Sequence, residues 1–167
     1  MHSGPLLLAY LTLQRAIELI VARRHTAALL EKGAYEVGAE HYPAMVALHA
    51  SWLVTLWIFG WNHDLQPALL GPFVLLQAAR YWVLRTLGER WTTRIIVVPG
   101  AIPVTSGPYR FVRHPNYLVV ACELPCASLA VGLVWHAAAF GVLNLAMLTW
   151  RIRCEDAAFA RVVKPVR

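Results

Sequence analysis

The chain has 167 residues, of which 59% are hydrophobic and only 14% charged, and its mean hydropathy is +0.53. Soluble domains carry about a quarter charged residues, so this composition excludes an ordinary soluble enzyme and indicates an integral membrane protein. The length allows one compact unit, which we expect to cover residues 1–167, with N-terminal helices at 4–87 and a functional half at 88–159. A formal net charge of +6 is expected from the cytoplasmic loops of a membrane protein, and we predict no nucleic-acid partner.

Five apolar segments approach the roughly 20 residues that a membrane-spanning helix needs. In chain order they are residues 4–22, 43–61, 66–87, 117–134 and 135–151. The last two are joined only by "GLVWH", which is typical of a tight helical hairpin. The predicted fold class is therefore all-α, an integral membrane bundle of about five transmembrane helices.

Basic residues are distributed unevenly between the loops of this layout. Thirteen of the fifteen lysines and arginines fall in the first loop, the third loop with its edge, and the C-terminal tail, while the second loop and the hairpin turn hold none. The positive-inside rule then predicts an N-terminus outside the cell and a cytoplasmic C-terminus, which agrees with five spans. The three cysteines show no metal-binding spacing, so we expect reduced, packed thiols and no metal site.

Ionisable residues inside the apolar segments need an explanation, because a charge at membrane depth is costly. Gln14, Arg15 and Glu18 can share one helix face in the first span, which favours an ion pair between helices over a direct part in a ligand site. Glu123 in the fourth span has no basic partner nearby in the sequence. It is protonated, paired with an arginine of another helix, or directed at a cavity, and lining a site is as well favoured as a structural role.

The most polar stretch is "SGPYRFVRHPNYL", residues 106–118. Its first residues are typical of a turn, and His114 precedes a proline, so we expect a helix to begin just after it. The side chains that then gather at the cytoplasmic mouth of the fourth span are Arg113, His114, Asn116 and Tyr117. The structural alternative is a basic loop in which Arg110 and Arg113 meet anionic lipid headgroups.

The fifth span ends in "WRIRCEDAAF". Arg151 and Glu155 lie one helical turn apart, and Asp156 follows. A solvated ion pair at a helix end contributes little to stability, and this is the structural alternative. Two carboxylates and two arginines at the interface also suit a cationic, zwitterionic ligand.

Two motifs together carry a family resemblance. "TSGPYRFVRHPNYL", followed later by "RIRCED", resembles the isoprenylcysteine carboxyl methyltransferase family, whose members show a TSGxYxxxRHPxY string and an RxxxE pair after a helical hairpin. The resemblance covers residues 87–159. The N-terminal half is similar to the short bacterial branch, some of whose members methylate lipophilic polyketide products such as alkylpyrones. Relatives that methylate prenylated proteins usually carry extra N-terminal helices and a YxxY-like tail, so a small acceptor is favoured here.

The resemblance implies binding of S-adenosylmethionine without a Rossmann fold, and the chain has no GxGxxG after a strand. It implies that Arg151 contacts an acceptor carboxyl group. For a hydroxyl acceptor, Glu155, Glu123 or His114 is the candidate base, and Arg151, Glu155 and Glu123 are the predicted catalytic residues. The cofactor-binding residues that it implies are Ala101, Ile102, Pro103, Val104, Tyr109, His114, Pro115, Asn116, Tyr117, Glu155 and Asp156.

The sequence therefore predicts an S-adenosylmethionine-dependent methyltransferase of the bacterial inner membrane, acting at oxygen. Its acceptor would be a lipophilic carboxylate or hydroxyl compound, polyketide-like, alkylpyrone-like or isoprenoid, that enters from the bilayer while the cofactor enters from the cytoplasm. One alternative is an NADPH-dependent reductase of the sterol-reductase type, whose C-terminal helices resemble this family. Another is a non-catalytic membrane scaffold, which leaves the paired motifs unexplained.

Overall fold

The computed structural model describes residues 2–163, and side chains through residue 158. Over this range the chain forms five α-helices: α1 (Gly4–Glu31), α2 (Tyr42–Gly60), α3 (Pro67–Leu87), α4 (Pro115–Ala130) and α5 (Val134–Val163). This architecture confirms the all-α prediction. Both α1 and α5 continue well beyond the apolar segments predicted at 4–22 and 135–151, because the polar residues that follow are mostly good helix formers. Lys164 and Arg167 of the predicted basic tail lie outside the described residues.

Prolines and one glycine set several helix boundaries. The fourth apolar segment was predicted to end at residue 134, but α4 ends at Ala130, because Gly132 ends the helix earlier. A proline occupies the first turn of α2, α3 and α4, where its missing N–H would have no intrahelical partner. The turn between α4 and α5 is short: Gly132 has a φ of 76°, and its N–H donates to the Leu129 carbonyl at 2.8 Å. A left-handed glycine is the usual way to end a helix so abruptly. The predicted helical hairpin is therefore confirmed.

Three of the described helical segments are long and apolar enough to cross a membrane, namely Gly4–Glu31, Ala39–Gly60 and Pro67–Arg90. Helix α4 has 16 residues, which is about 24 Å at 1.5 Å per residue. One face of it is covered by its neighbours, where Leu124 and Ala127 are fully buried, while Leu118 is exposed. The membrane character is thus supported by the three long helices, and the figure of five spans stays a prediction.

The outward faces of the helices are apolar, as a lipid-facing surface requires. Leu6, Ile58, Val74 and Val142 have exposed fractions of 74%, 64%, 63% and 68%. Monomeric soluble proteins rarely expose apolar side chains over such a continuous area. These faces are therefore the surfaces that the bilayer covers.

The two ends of the bundle differ in composition. Leu8, Leu11, Trp52, Leu56 and Leu124 belong to a hydrophobic core at the end near the α4–α5 turn. At the other end, strands β1 (Tyr35–Val37) and β2 (Ile95–Val97) form a small antiparallel sheet. The all-α prediction did not include this pair, although the β-branched run around residue 96 favours a strand. The polar motifs lie at this second end.

Candidate active site

The two sequence motifs meet at the start of α4, beside the part of α5 that carries Arg151 and Glu155. Arg151 on α5 donates from Nε to the Tyr117 hydroxyl at 2.9 Å, and that hydroxyl donates in turn to the Glu155 carboxylate. The His114 ring stacks on Tyr117, with 5.4 Å between ring centroids. Asp156 Oδ1 lies 3.6 Å from His114 Nε2. Five of the predicted site residues are therefore neighbours in space.

Local backbone preferences explain this meeting point. His114 precedes a proline and has a non-helical backbone (φ −127°, ψ 63°), because the proline ring disfavours the helical region for the residue before it. Helix α4 starts at Pro115, so Tyr117 lies in its first turn. On α5, Arg151 and Glu155 are four residues apart and share one face. The sequence predicted both placements.

Arg151 is 5% exposed, and its guanidinium is held by backbone and sulfur atoms instead of a carboxylate. Its Nη1 donates to the Thr93 carbonyl at 2.7 Å and lies 2.8 Å from the Met45 sulfur. Among the described residues no carboxylate forms an ion pair with it, because the Tyr117 hydroxyl stands between Arg151 and Glu155. A buried cation without an ionic partner has unused capacity to bind an anionic or electron-rich oxygen.

The third loop supplies Tyr109. Gly107 has a φ of 57°, and a Cβ at this position would meet Thr86 Oγ1 at 2.6 Å, so the glycine predicted in this turn is needed there. Burial raises the pKa of the Tyr109 phenol, and the negative charge of Glu155 raises it further. Tyr109 is therefore near enough to the Glu155 carboxylate for that charge to act on its phenol.

The predicted stretch Ala101, Ile102, Pro103 and Val104 is less closely tied to the cluster. Ile102 is 81% exposed, and its carbonyl accepts a hydrogen bond from Arg90 Nη1 at 2.7 Å. In the part of the chain that the structure describes, no hydrogen bond joins residues 101–104 to His114, Tyr117 or Glu155. Their predicted contact with a cofactor stays a prediction.

A cavity of about 380 Å³ opens beside Arg151, between the helices and the third loop. Asn116, Tyr117 and Arg151 line it on the loop side, and its walls are largely apolar. Small-molecule sites usually have volumes of about 300–1,000 Å³ and few polar groups. We call this cavity the chamber. The further residues that line it include Leu19, Met45, Val46, His49, Leu53, Trp91, Val120 and Leu148.

An ion network forms one wall of the chamber, which Arg15, Glu18 and Arg80 line. Glu123 is fully buried and accepts hydrogen bonds from Arg15 at 2.6 Å, Arg80 at 2.7 Å and Gln77 at 2.9 Å. Glu18 pairs with both arginines. The predicted ion pair between helices is therefore confirmed, and of the three alternatives for Glu123 the structure shows an arginine from another helix. Its predicted catalytic role stays a prediction, and it does not line the chamber.

Sequence reasoning missed several residues of this region. Met45 and Thr93 contact Arg151 through a sulfur and a backbone carbonyl, and no local pattern signals such contacts. Arg80 and His49 did carry a signal, because each is a polar residue inside an apolar segment. The sequence alone does not indicate a partner for either side chain.

Comparison with known proteins agrees with this arrangement. A bundle of apolar helices with a polar cluster at one end and an adjoining chamber defines a membrane-embedded protein with a ligand site. The Isoprenylcysteine carboxyl methyltransferase (ICMT) family model matches residues 68–161, and the chain belongs to that family. It is thus a membrane methyltransferase, and members of the family use S-adenosylmethionine.

Two curated bacterial relatives are similar over nearly the whole chain. One, from Bacillus subtilis (strain 168), is described as "Uncharacterized protein YpbQ" and is 36% identical over 92% of this chain and 94% of its own length. The other, an uncharacterized protein from Haemophilus influenzae (strain ATCC 51907 / DSM 11121 / KW20 / Rd), is 27% identical over 89% of this chain and 90% of its own. No solved structure matches the chain.

Proposed function

We propose that the protein transfers a methyl group from S-adenosylmethionine to an oxygen atom of a small lipophilic acceptor that it takes from the membrane. The observation that carries this proposal is the hydrogen-bonded chain Arg151–Tyr117–Glu155. Tyr117 and Arg151 face the chamber, whereas Glu155 extends the same chain away from it. Two ligands bound on either side of this chain would lie next to each other.

The cluster around Glu155 has the hydrogen-bond acceptors and donors that the cofactor needs. Carboxylates at Glu155 and Asp156 suit a cationic α-amino group, and charge-assisted hydrogen bonds of this kind are the strong ones. His114 and nearby backbone N–H groups suit the carboxylate of the same ligand. Tyr109 offers an aromatic surface for its base. When bound, S-adenosylmethionine supplies a methyl group on a positively charged sulfur.

The chamber suits the acceptor. Its walls are apolar, and among the described residues Nη2 of Arg151 has no hydrogen-bond partner, so its N–H groups can donate to an acceptor oxygen. Methyl transfer is an in-line displacement, so holding both reactants in register is the main contribution of the protein. A polyketide-like, alkylpyrone-like or isoprenoid molecule would enter from the bilayer, and the site would face the cytoplasm of a bacterial cell.

Calorimetric titration of detergent-purified protein tests this proposal. S-adenosylhomocysteine and NADPH are titrated separately into the wild type, His114→Ala and Glu155→Ala. The matched controls are His63→Ala and Glu31→Ala, which remove an exposed histidine and an exposed glutamate from other parts of the chain. We expect S-adenosylhomocysteine to bind the wild type and both controls, with at least tenfold weaker binding in both site variants.

Other outcomes contradict the proposal in distinct ways. Binding of NADPH alone would indicate a reductase. If neither ligand binds while the protein still unfolds cooperatively on heating, the site holds no such cofactor and a non-catalytic role replaces the enzyme.

A further inference from the structure

One side chain on the chamber wall is a histidine with a defined proton position. His49 lies on α2 and lines the chamber, and its Nδ1 is 2.9 Å from the Met45 carbonyl oxygen. A carbonyl only accepts hydrogen bonds, so Nδ1 carries the proton in the neutral ring. Nε2 then keeps its lone pair. Among the described residues Nε2 has no hydrogen-bond partner, so it is free to accept a proton from a ligand.

None of the other titratable side chains that line the chamber is available to accept a proton. Guanidinium groups have no acceptor atom, which excludes the three arginines as bases. Glu18 is bound by Arg15 and Arg80. The hydroxyl groups of Tyr42 and Tyr117 are hydrogen-bonded to Thr93 and to Glu155 respectively. The titratable residues lining the chamber are Arg15, Glu18, Tyr42, His49, Arg80, Tyr117 and Arg151.

We propose that His49 is the general base of this site and takes up the proton of a hydroxyl acceptor. This inference rests on the proposed function and adds to it a catalytic residue. A carboxylic acid would reach the site already ionised and would gain nothing from a neutral imidazole. A hydroxyl acceptor needs its proton removed as the new bond forms.

The position of His49 relative to Arg151 supports this assignment. The Met45 carbonyl holds His49 Nδ1 at 2.9 Å, and the Met45 sulfur lies 2.8 Å from Arg151 Nη1. Met45 and His49 are one turn apart on α2, and Met45 contacts Arg151 of α5. Both the base and the buried cation therefore line the chamber. A developing oxyanion between them would be stabilised by Arg151 while it loses its proton to His49.

The acceptor hydroxyl gives its proton to Nε2 of His49, and its oxygen forms a bond to the methyl carbon of S-adenosylmethionine. The sulfur–methyl bond breaks with its electron pair staying on sulfur, which yields neutral S-adenosylhomocysteine. The imidazolium that remains on His49 returns its proton to water after the product leaves.

A chromogenic phenol tests the base without the methyl donor. The probe is 4-hexyl-2-nitrophenol, whose phenolate absorbs in the visible range, bound to the protein in lipid nanodiscs at a fixed pH below the pKa of the free phenol, so that phenolate forms only where a protein group takes up its proton. We expect the bound probe to ionise at least tenfold more readily in the wild type than in His49→Gln, since glutamine fills similar space and cannot take up the proton. His63→Gln, an exposed histidine away from the chamber, should match the wild type.

A second measurement uses the loaded enzyme. With S-adenosylmethionine present, His49→Gln should methylate the nitrophenol about 100-fold more slowly than the wild type, the usual range for a lost general base being roughly 10²–10⁴. Decanoic acid, a carboxylate of similar length, should be methylated at no more than a hundredth of the wild-type rate for the phenol. Calorimetric binding of S-adenosylhomocysteine and the unfolding temperature should not change in His49→Gln.

Each contrary result identifies which inference fails. If S-adenosylhomocysteine binds the wild type but the phenol does not, or if the probe ionises equally in the wild type and His49→Gln, the assignment of His49 is wrong and the proposed function stands. The assignment of His49 would also be wrong if decanoic acid were methylated as fast as the phenol and if that rate were the same in His49→Gln. Failure of S-adenosylhomocysteine to bind the folded wild type overturns the proposed function itself.

Discussion

Glu123 and Glu155 are both glutamates within helices of the C-terminal half, and their surroundings give them opposite properties. Glu123 is fully buried and is bound by two arginines and a glutamine. Glu155 is partly exposed and accepts a hydrogen bond from the Tyr117 hydroxyl. The first carboxylate has its acceptor capacity occupied by neighbouring helices, and the second has capacity left for a ligand. We therefore expect Glu123 to act in stability and Glu155 in binding.

Replacing Glu123 tests this division. Glu123→Gln removes the charge that Arg15 and Arg80 share, and breaking a buried ion pair from one side typically costs about 3–5 kcal/mol. At roughly 2–4 °C per kcal/mol for a chain of this size, the unfolding temperature in detergent should fall by about 6 °C or more. The affinity for S-adenosylhomocysteine, measured by calorimetry on the folded protein, should stay within about twofold of the wild type.

Glu40→Gln is the matched control, because Glu40 is an exposed glutamate outside the ion network, and it should leave the unfolding temperature unchanged. A stable Glu123→Gln protein with lost cofactor affinity would instead assign Glu123 to the site.

Among elements, the start of α1 packs closely on the turn between α2 and α3. The Gly4 N–H donates to the His63 carbonyl at 2.9 Å, and the Ser3 hydroxyl accepts from the Leu65 N–H at 2.9 Å. A Cβ on Gly4 would lie 2.5 Å from the His63 carbonyl oxygen and 2.8 Å from that of Gly60. Both neighbours are backbone atoms, so the helix would have to move. This glycine is required by close approach between elements.

Gly4→Ala should therefore destabilise the protein by about 1–3 kcal/mol, the usual cost of overpacking a tight contact. The matched control is Gly71→Ala in α3, where an added Cβ meets nothing within 4 Å. Alanine in a helix interior is favoured over glycine by roughly 0.5–1 kcal/mol, so this variant should be as stable as the wild type or more so. Thermal unfolding in detergent measures both, and equal effects of the two substitutions would contradict the proposed contact.

For the whole molecule, charge asymmetry predicts the orientation in the membrane. Arg23 and Arg24 near the end of α1, Lys32 just after it and the arginines of the third loop are the basic residues of one side, while the turn between α2 and α3 holds no lysine or arginine. The positive-inside rule places the basic side in the cytoplasm. Single cysteines at two exposed positions test this, Asn62→Cys in the α2–α3 turn and Lys32→Cys after α1, each in a background with Cys122, Cys126 and Cys154 replaced by alanine.

A membrane-impermeant maleimide should label Asn62→Cys in intact bacterial cells and Lys32→Cys only after permeabilisation. The reverse pattern would place the candidate active site outside the cell, where S-adenosylmethionine is not made, and would contradict the proposed supply of cofactor from the cytoplasm.

The sequence by itself determined the class of the protein, the approximate positions of the helices and the two motifs that meet where α4 begins. Hydropathy and proline or glycine positions act over a few residues, so they predicted the start of α4 after His114 and a tight hairpin within "GLVWH", whose turn the structure has at Gly132. The one-turn spacing of Arg151 and Glu155 likewise follows from helix geometry alone. Helix α1 was predicted too short because its last turns are polar, and hydropathy detects only the part in lipid.

Only the tertiary structure decided which distant groups meet. Arg15 and Glu123 are 108 residues apart, and Arg80 and Glu123 are 43 apart, so no local pattern could pair them. The same holds for the contact of Met45 with Arg151 and for the chamber that His49 lines. A buried charge is stable only beside its partners, and those partners are set by how the helices pack.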